Sequence, residues 1–321
     1  MALKLLALEV DGLVAPQPCV DQVFAHLPNG PVLLEALRSY EASLAGTDRY
    51  EPGSVYALAL PFLLHHDFPS RRLSELAASV RLVPGAGELC RRLASDGWQL
   101  FIVSVAYERY ARGLAERLGV PPAHVLSTRF PLRRYQSFLS WAHPDAIKAA
   151  GVCSRETVRL WDAGERKGAV QVLDSYFRVE VERDEFGSFI RSVRPLAARR
   201  KVIALRTLAR SLDHRSADFV VLGASAVDAE ALLRIKRRHG LAIAVNAEET
   251  ALASATIGVA THDLLALEPV LRAWTEGGLD AVRGVVAGLA PAGARYDWLE
   301  GADLRAVVTT HREARRALLV P

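Results

Sequence analysis

Four positions carry side chains able to do chemistry together. Glu9, Asp11 and Gly12 close an apolar run, Ser104 follows a second one, Lys201 stands inside a basic helical stretch, and Asp228 ends the phrase Gly223-Ala224-Ser225-Ala226-Val227-Asp228. Carboxylates, a hydroxyl and an ammonium are the parts of a phosphoryl-transfer site. A carboxylate can split hydrolysis into two steps, a cation or metal can neutralise phosphoryl oxygens, and a second acid can assist the leaving group. Singly, each residue has a plainer explanation. Glu9-Val10-Asp11-Gly12 reads as an acidic turn, Ser104 as a helix cap, Lys201 as a surface residue and Asp228 as a first-turn carboxylate.

What joins them is the pattern of elements. Residues 4–10 read as a buried strand ending in a tight Asp-Gly turn. Residues 86–96 form an amphipathic helical pattern closed by Gly97, followed by a strand at 98–103, a helix at 107–118 and a strand at 125–128. Strands are further expected at 189–193, 219–222, 241–245 and 255–259, with helices at 144–150, 166–177, 201–212 and 228–238. Strand and helix in alternation predict a doubly wound α/β sheet, whose ligand site lies at the carboxyl ends of its strands. Each of the suggestive residues follows a strand or starts a helix there.

In that order the motifs resemble the haloacid dehalogenase (HAD) superfamily, in its phosphoserine-phosphatase-like group. LVPGAGELCRRLASDGWQLFIVS at 82–104 is similar to the approach to the second motif of that group. FVVLGASAVDAEAL at 219–232, with GLAIAVNAEETALASATIGVATHDL at 240–264, is similar to the fourth motif and the strands after it. The resemblance implies a Rossmann-like core over 1–15 and 82–321 and a helical cap over 16–81. Residues 129–186 are read as an insertion and 277–321 as a C-terminal helical extension.

The resemblance also implies roles. Glu9 takes the place of the attacking, magnesium-binding aspartate, and Asp11 that of the acid/base. Ser104 and Lys201, with Gly12, would hold phosphate, while Glu9, Asp11 and Asp228 would hold Mg. Two departures stand out: Glu9 is one methylene longer than the expected aspartate, and Ala224 replaces a carboxylate of the fourth motif. A shift of about 1 Å at a reacting atom can cost about a hundredfold in rate, and magnesium asks for near-ideal octahedral oxygen ligation. Two readings follow: a catalytically impaired protein that binds a phosphorylated small molecule or a protein partner, or an active Mg-dependent phosphomonoesterase using Glu9. A nucleic-acid-binding protein is a third.

Composition narrows the field. Half of the 321 residues are apolar, enough for a substantial core and an accessory domain. The net charge is +4, so the basic runs at 199–201 and 236–239 are read as solvated helix faces and nucleic acid as an improbable partner. The apolar runs at 3–10 and 55–64 are too short to span a bilayer, so no membrane role is expected and a cytoplasmic location is. Cys19, Cys90 and Cys153 lack ligand or disulfide spacing and are read as buried thiols. His65-His66-Asp67 is set aside as a metal site because neighbouring helical side chains diverge. Trp141, Trp161 and Trp274 are expected in cores, and Asp213-His214 at a helix end.

Overall fold

In the computed structural model, which describes residues 4–45, 47, 52–181, 185–288 and 293–319, a seven-stranded sheet organises the chain. After β1 (Leu5–Leu8) come α1 (Cys19–Phe24), α2 (Gly30–Ser43), α3 (Val55–Leu58), α4 (Leu60–His65) and α5 (Arg72–Ser79). Then follow α6 (Ala86–Ser95), β2 (Gln99–Tyr107), α7 (Glu108–Leu118) and β3 (Val125–Thr128). A second helical run contains α8 (Leu132–Ala142), α9 (Pro144–Asp162), α10 (Arg166–Ser175), a π-helical turn at Tyr176–Glu180 and α11 (Phe186–Ser192). The chain returns through α12 (Ala198–Ser211), β4 (Phe219–Gly223), α13 (Ala229–Lys236), β5 (Leu241–Val245), α14 (Glu249–Ser254) and β6 (Ile257–Thr261). It ends with α15 (Glu268–Gly288), β7 (Ala294–Trp298) and α16 (Leu304–Leu319).

The strand order is β3-β2-β1-β4-β5-β6-β7, parallel except for β7, which runs antiparallel to β6. The reversal lies at β1, between β2 and β4, where two crossovers leave in opposite directions and open a crevice. Period-two alternation sends Leu6, Leu8, Ile102, Val220, Leu222 and Ile243 into one core and Leu5, Ala7, Phe101, Val103, Phe219 and Val221 into another. The first core carries α6, α7 and α15; the second carries α12, α13, α14 and α16.

Two expectations are corrected. Residues 189–193 are not a strand: Phe186 and Ile190, one helical turn apart, are both buried in α11. A short apolar run cannot by itself separate the two periods. The extension from 277 is not wholly helical either. α15 bends where Gly278 takes φ 63°, and Arg295, Tyr296, Asp297 and Trp298 then pair with β6 as an edge strand. Neither α11 nor β7 disturbs the parallel order on which the crevice depends.

The helices of 129–186 pack onto those of the first helical run, α9 against α4 and α2, and α10 against α2. Tyr40 stacks on Phe177 at 5.5 Å, and Phe62 meets Phe177 edge-on at 6.2 Å. The two runs thus bury a shared aromatic cluster above the sheet. Gly151 lets α9 approach α4 closely, since a Cβ there would lie 2.1 Å from the His65 ring. His65 and His66 do not diverge as expected. α4 ends at His65, His66 leaves the helical spacing, and the rings meet at 4.8 Å. Trp274 is buried as expected, but Trp161 is only half-buried under Arg166, and Trp141 is 81% exposed.

Candidate functional site

Glu9 lies one residue past β1, its N–H still donating to Leu222 of β4 at 3.3 Å. Ser104 projects from β2 where the pairing with β3 shifts register. Lys201 sits in the first turn of α12 and Asp228 directly precedes α13. All four are buried. The cap, surface and first-turn readings of single residues therefore give way to one constellation at the carboxyl edge of the sheet.

Its centre is the Glu9 carboxylate. Oε1 accepts the N–H groups of Val10 at 2.7 Å and Asp11 at 3.2 Å, and the Ser104 hydroxyl. Oε2 accepts the Val105 N–H at 3.1 Å and the Lys201 ammonium. The same ammonium also donates to Asp228 Oδ1, while Asp228 Oδ2 takes the N–H groups of Ala224 at 2.9 Å and Ser225 at 3.1 Å. Burial alone would lower the Lys201 pKa, but Asp228 and Glu9 outweigh it and hold the ammonium above its ordinary range. A lysine cation clamped by two carboxylates results, closed on every side by donors.

Asp11 faces the other way. Its Oδ1 accepts the Cys19 N–H at 3.0 Å and its Oδ2 the Tyr56 hydroxyl. Burial, reinforced by the Glu9 charge and opposed by those two donors, pushes its carboxyl up to about 8, so it is mostly protonated at neutral pH. Ala224 is buried across from Gly12, where a Cβ on Gly12 would stand 3.7 Å from the Ala224 methyl. The Gly12 N–H donates to Ala15 O at 2.8 Å, within the turn. Gly12 therefore offers phosphate no amide, which corrects that assignment.

The set does not fit magnesium. The Lys201 ammonium stands between Glu9 and Asp228, Asp11 is turned to Tyr56 and Cys19, and Ala224 brings no oxygen. Among the described residues no group of three or more acidic, His or Cys side chains could hold a metal. An ammonium supplies the positive charge between two carboxylates, with hydrogen-bond donors instead of an ion's open coordination sites.

Above the clamp lies a cleft of about 1220 Å³ whose walls include Asp11, Arg38, Tyr56, Val105, Ser225 and Arg315. Arg38 pairs with Asp21 and Arg315 with Glu248, so these cations are already partnered. Helix α16 closes one side. Leu318 and Leu319 line the cleft, Arg81 donates to the Leu318 carbonyl, and His311 is fully buried where its Nδ1 accepts the Ala247 N–H at 3.0 Å. These contacts were not foreseen. Tyr56, His311 and Arg315 stand outside the motifs, and the N–H groups around Glu9 belong to residues whose side chains give no signal.

A mostly parallel sheet with a helical segment after its first strand and a polar cluster at the strand ends is an architecture that this chain shares with several solved structures. The gene product AF1437 from Archaeoglobus fulgidus shares this architecture with a TM-score of 0.81 at 20% identity, over 99% of this chain and 97% of that one. A phosphoserine phosphatase in apo form superimposes with a TM-score of 0.52 at 16% identity, over 83% of this chain and 98% of its own. A phospho-aspartyl intermediate analogue of phosphoserine phosphatase does so with 0.51 at 15%, over 84% and 98%. No protein-family model matches the chain. No curated protein sequence matches it either.

Proposed function

We propose that this chain is a catalytically silent protein on the phosphatase fold, which works by binding a protein partner and not by turning over phosphate monoesters. The observation that carries the reading is the Glu9 carboxylate, whose oxygens accept three N–H groups, a hydroxyl and an ammonium. A carboxylate has about four lone-pair directions, so none is left to attack phosphorus. The donors that would hold phosphoryl oxygens, Ser104 and Lys201 among them, are spent on Glu9. Free, buried thiols at Cys19, Cys90 and Cys153 suit a reducing compartment such as the cytoplasm.

One observation favours the second reading, a Mg-dependent phosphomonoesterase: the protonated Asp11 lines the cleft as a general acid would. A panel of small phosphate monoesters, assayed with and without magnesium, separates the two. The expected result is no turnover above background and no magnesium binding by calorimetry. Turnover near the ordinary enzymic rate of about 10 per second, abolished by Glu9→Gln, would overturn the silent reading.

A further inference from the structure

Among the described residues helix α8 leaves much of one face exposed, with Phe138 meeting Phe189 at 5.6 Å along one edge. Leu132, Tyr135 and Leu139 pin its inner face, while Arg134, Phe138 and Trp141, at helical spacing, point outward. Phe138 is 48% and Trp141 81% exposed. Large exposed aromatics side by side are unusual on a surface with no task, and Trp and Arg are the residues in which binding energy concentrates.

The helix also begins at a cavity of about 620 Å³, walled by Arg109, Arg133, Arg134, Ser70, Phe130 and Phe138, among others. Among the described residues no Asp or Glu lines it, and α8 itself contains no acidic residue. Several arginines elsewhere on the surface pair along their helices, as Arg92 does with Glu88, Arg112 with Glu108 and Arg159 with Glu156. Arg109, Arg133 and Arg134 have no such carboxylate among the described residues. Their positive charge is uncompensated beside an exposed apolar stripe.

We infer that α8 and the cavity at its start form a docking surface for an acidic segment of a partner protein. Carboxylates of that segment meet the forks of Arg109, Arg133 and Arg134, which match carboxylate geometry in pairs. An adjoining apolar side chain packs on Phe138 and Trp141. The concave shape suits a protruding peptide side chain better than the flat surface of a bilayer. The surface shares no lining residue with the strand-end cleft, so it stands whether or not that cleft is silent.

The test is selection of a random twelve-residue peptide display library on the full chain, followed by affinity measurement of the enriched peptides. Enriched sequences are expected to join two or more Asp or Glu residues to a large apolar one. Their affinity should fall about tenfold or more in Trp141→Ala and in the double variant Arg133→Glu with Arg134→Glu, and in high salt. Both variants change exposed residues, and an unchanged far-UV circular dichroism spectrum verifies their folding. Enrichment without acidic bias, or binding that survives both variants, overturns the inference. So does Trp141-dependent binding to phosphatidylserine vesicles, or to a single-stranded oligonucleotide, without any acidic peptide being selected.

Discussion

One methylene at position 9 changes what the strand-end site can do. Glutamate reaches into the ring of donors formed by Val10, Asp11, Ser104, Val105 and Lys201 and becomes their anion. Removing it in Glu9→Ala leaves Lys201 with Asp228 alone and several buried donors unmet, at a cost of about 3–5 kcal/mol. The vacated site should then accept a small oxyanion. Inorganic phosphate is expected to raise the melting temperature of Glu9→Ala and leave that of the parent unchanged; equal shifts in both would contradict an internally filled site. Asp11 gives a second prediction. Its folded pKa of about 8 lies above the ordinary carboxyl value of about 4. Between these values the folded chain keeps a proton that the unfolded chain releases, so stability falls as pH rises through that window, by at most about 1.4 kcal/mol per pH unit. Asp11→Asn should flatten this slope in urea unfolding measured from pH 5 to 8.5. A slope equal to the parent's would show that Asp11 is ionised in the fold. Sequence was a good guide to which side chains meet, because Glu9 and Ser104 are fixed to strands and Lys201 and Asp228 to helix starts at the same edge of the sheet. It was silent on the amide donors around Glu9, because these are placed by backbone path.

Elements with a strong period were legible, and those with a weak one were not. β1, β2, β4 and β5 are apolar throughout or nearly so and lie where the apolar runs predicted them. α11 fell to the ambiguity of a short apolar run, and β7 was hidden because an edge strand half exposed to water mixes aromatic and charged residues. In α16 the buried apolar residues Val307, Val308, Ala314 and Leu318 are interrupted by buried His311, a polar residue that periodicity treats as a break. Burial lowers the His311 pKa to about 4; Arg295 pushes it the same way and Asp297 opposes. A histidine held below its ordinary value of about 6.5 contributes stability above that value and loses it as pH falls toward 4. Protection factors in 304–319, with the slower intrinsic exchange at acid pH divided out, should therefore fall at pH 4.5 relative to pH 7, and His311→Gln should remove this pH sensitivity. Uniform protection of α16 at both pH values in the parent would show that His311 does not anchor it.

At the scale of the molecule the question is whether the helices above the sheet form a separable unit. Sequence suggested a cap over 16–81 and an insertion over 129–186 but gave no means of joining them, since their contacts are between aromatics more than a hundred residues apart. In the fold, Phe177 stacks with Tyr40 and meets Phe62, and this cluster runs without a break through Tyr56 and Tyr107 into the sheet core. A continuous apolar core transmits local loss of packing to the whole. Phe177→Ala, at a residue 6% exposed, should cost about 3–5 kcal/mol, the usual range for a buried phenylalanine. Because the cluster bridges cap and core, that loss should lower one shared unfolding transition. The check is thermal unfolding followed by far-UV circular dichroism and by hydrogen exchange resolved over 132–175 and over 219–261. Coincident shifts in both segments are expected. Early exchange in 132–175 with 219–261 still protected would mean that the helices above the sheet unfold independently, and the cleft between them would then open without disturbing the Glu9–Lys201–Asp228 clamp beneath.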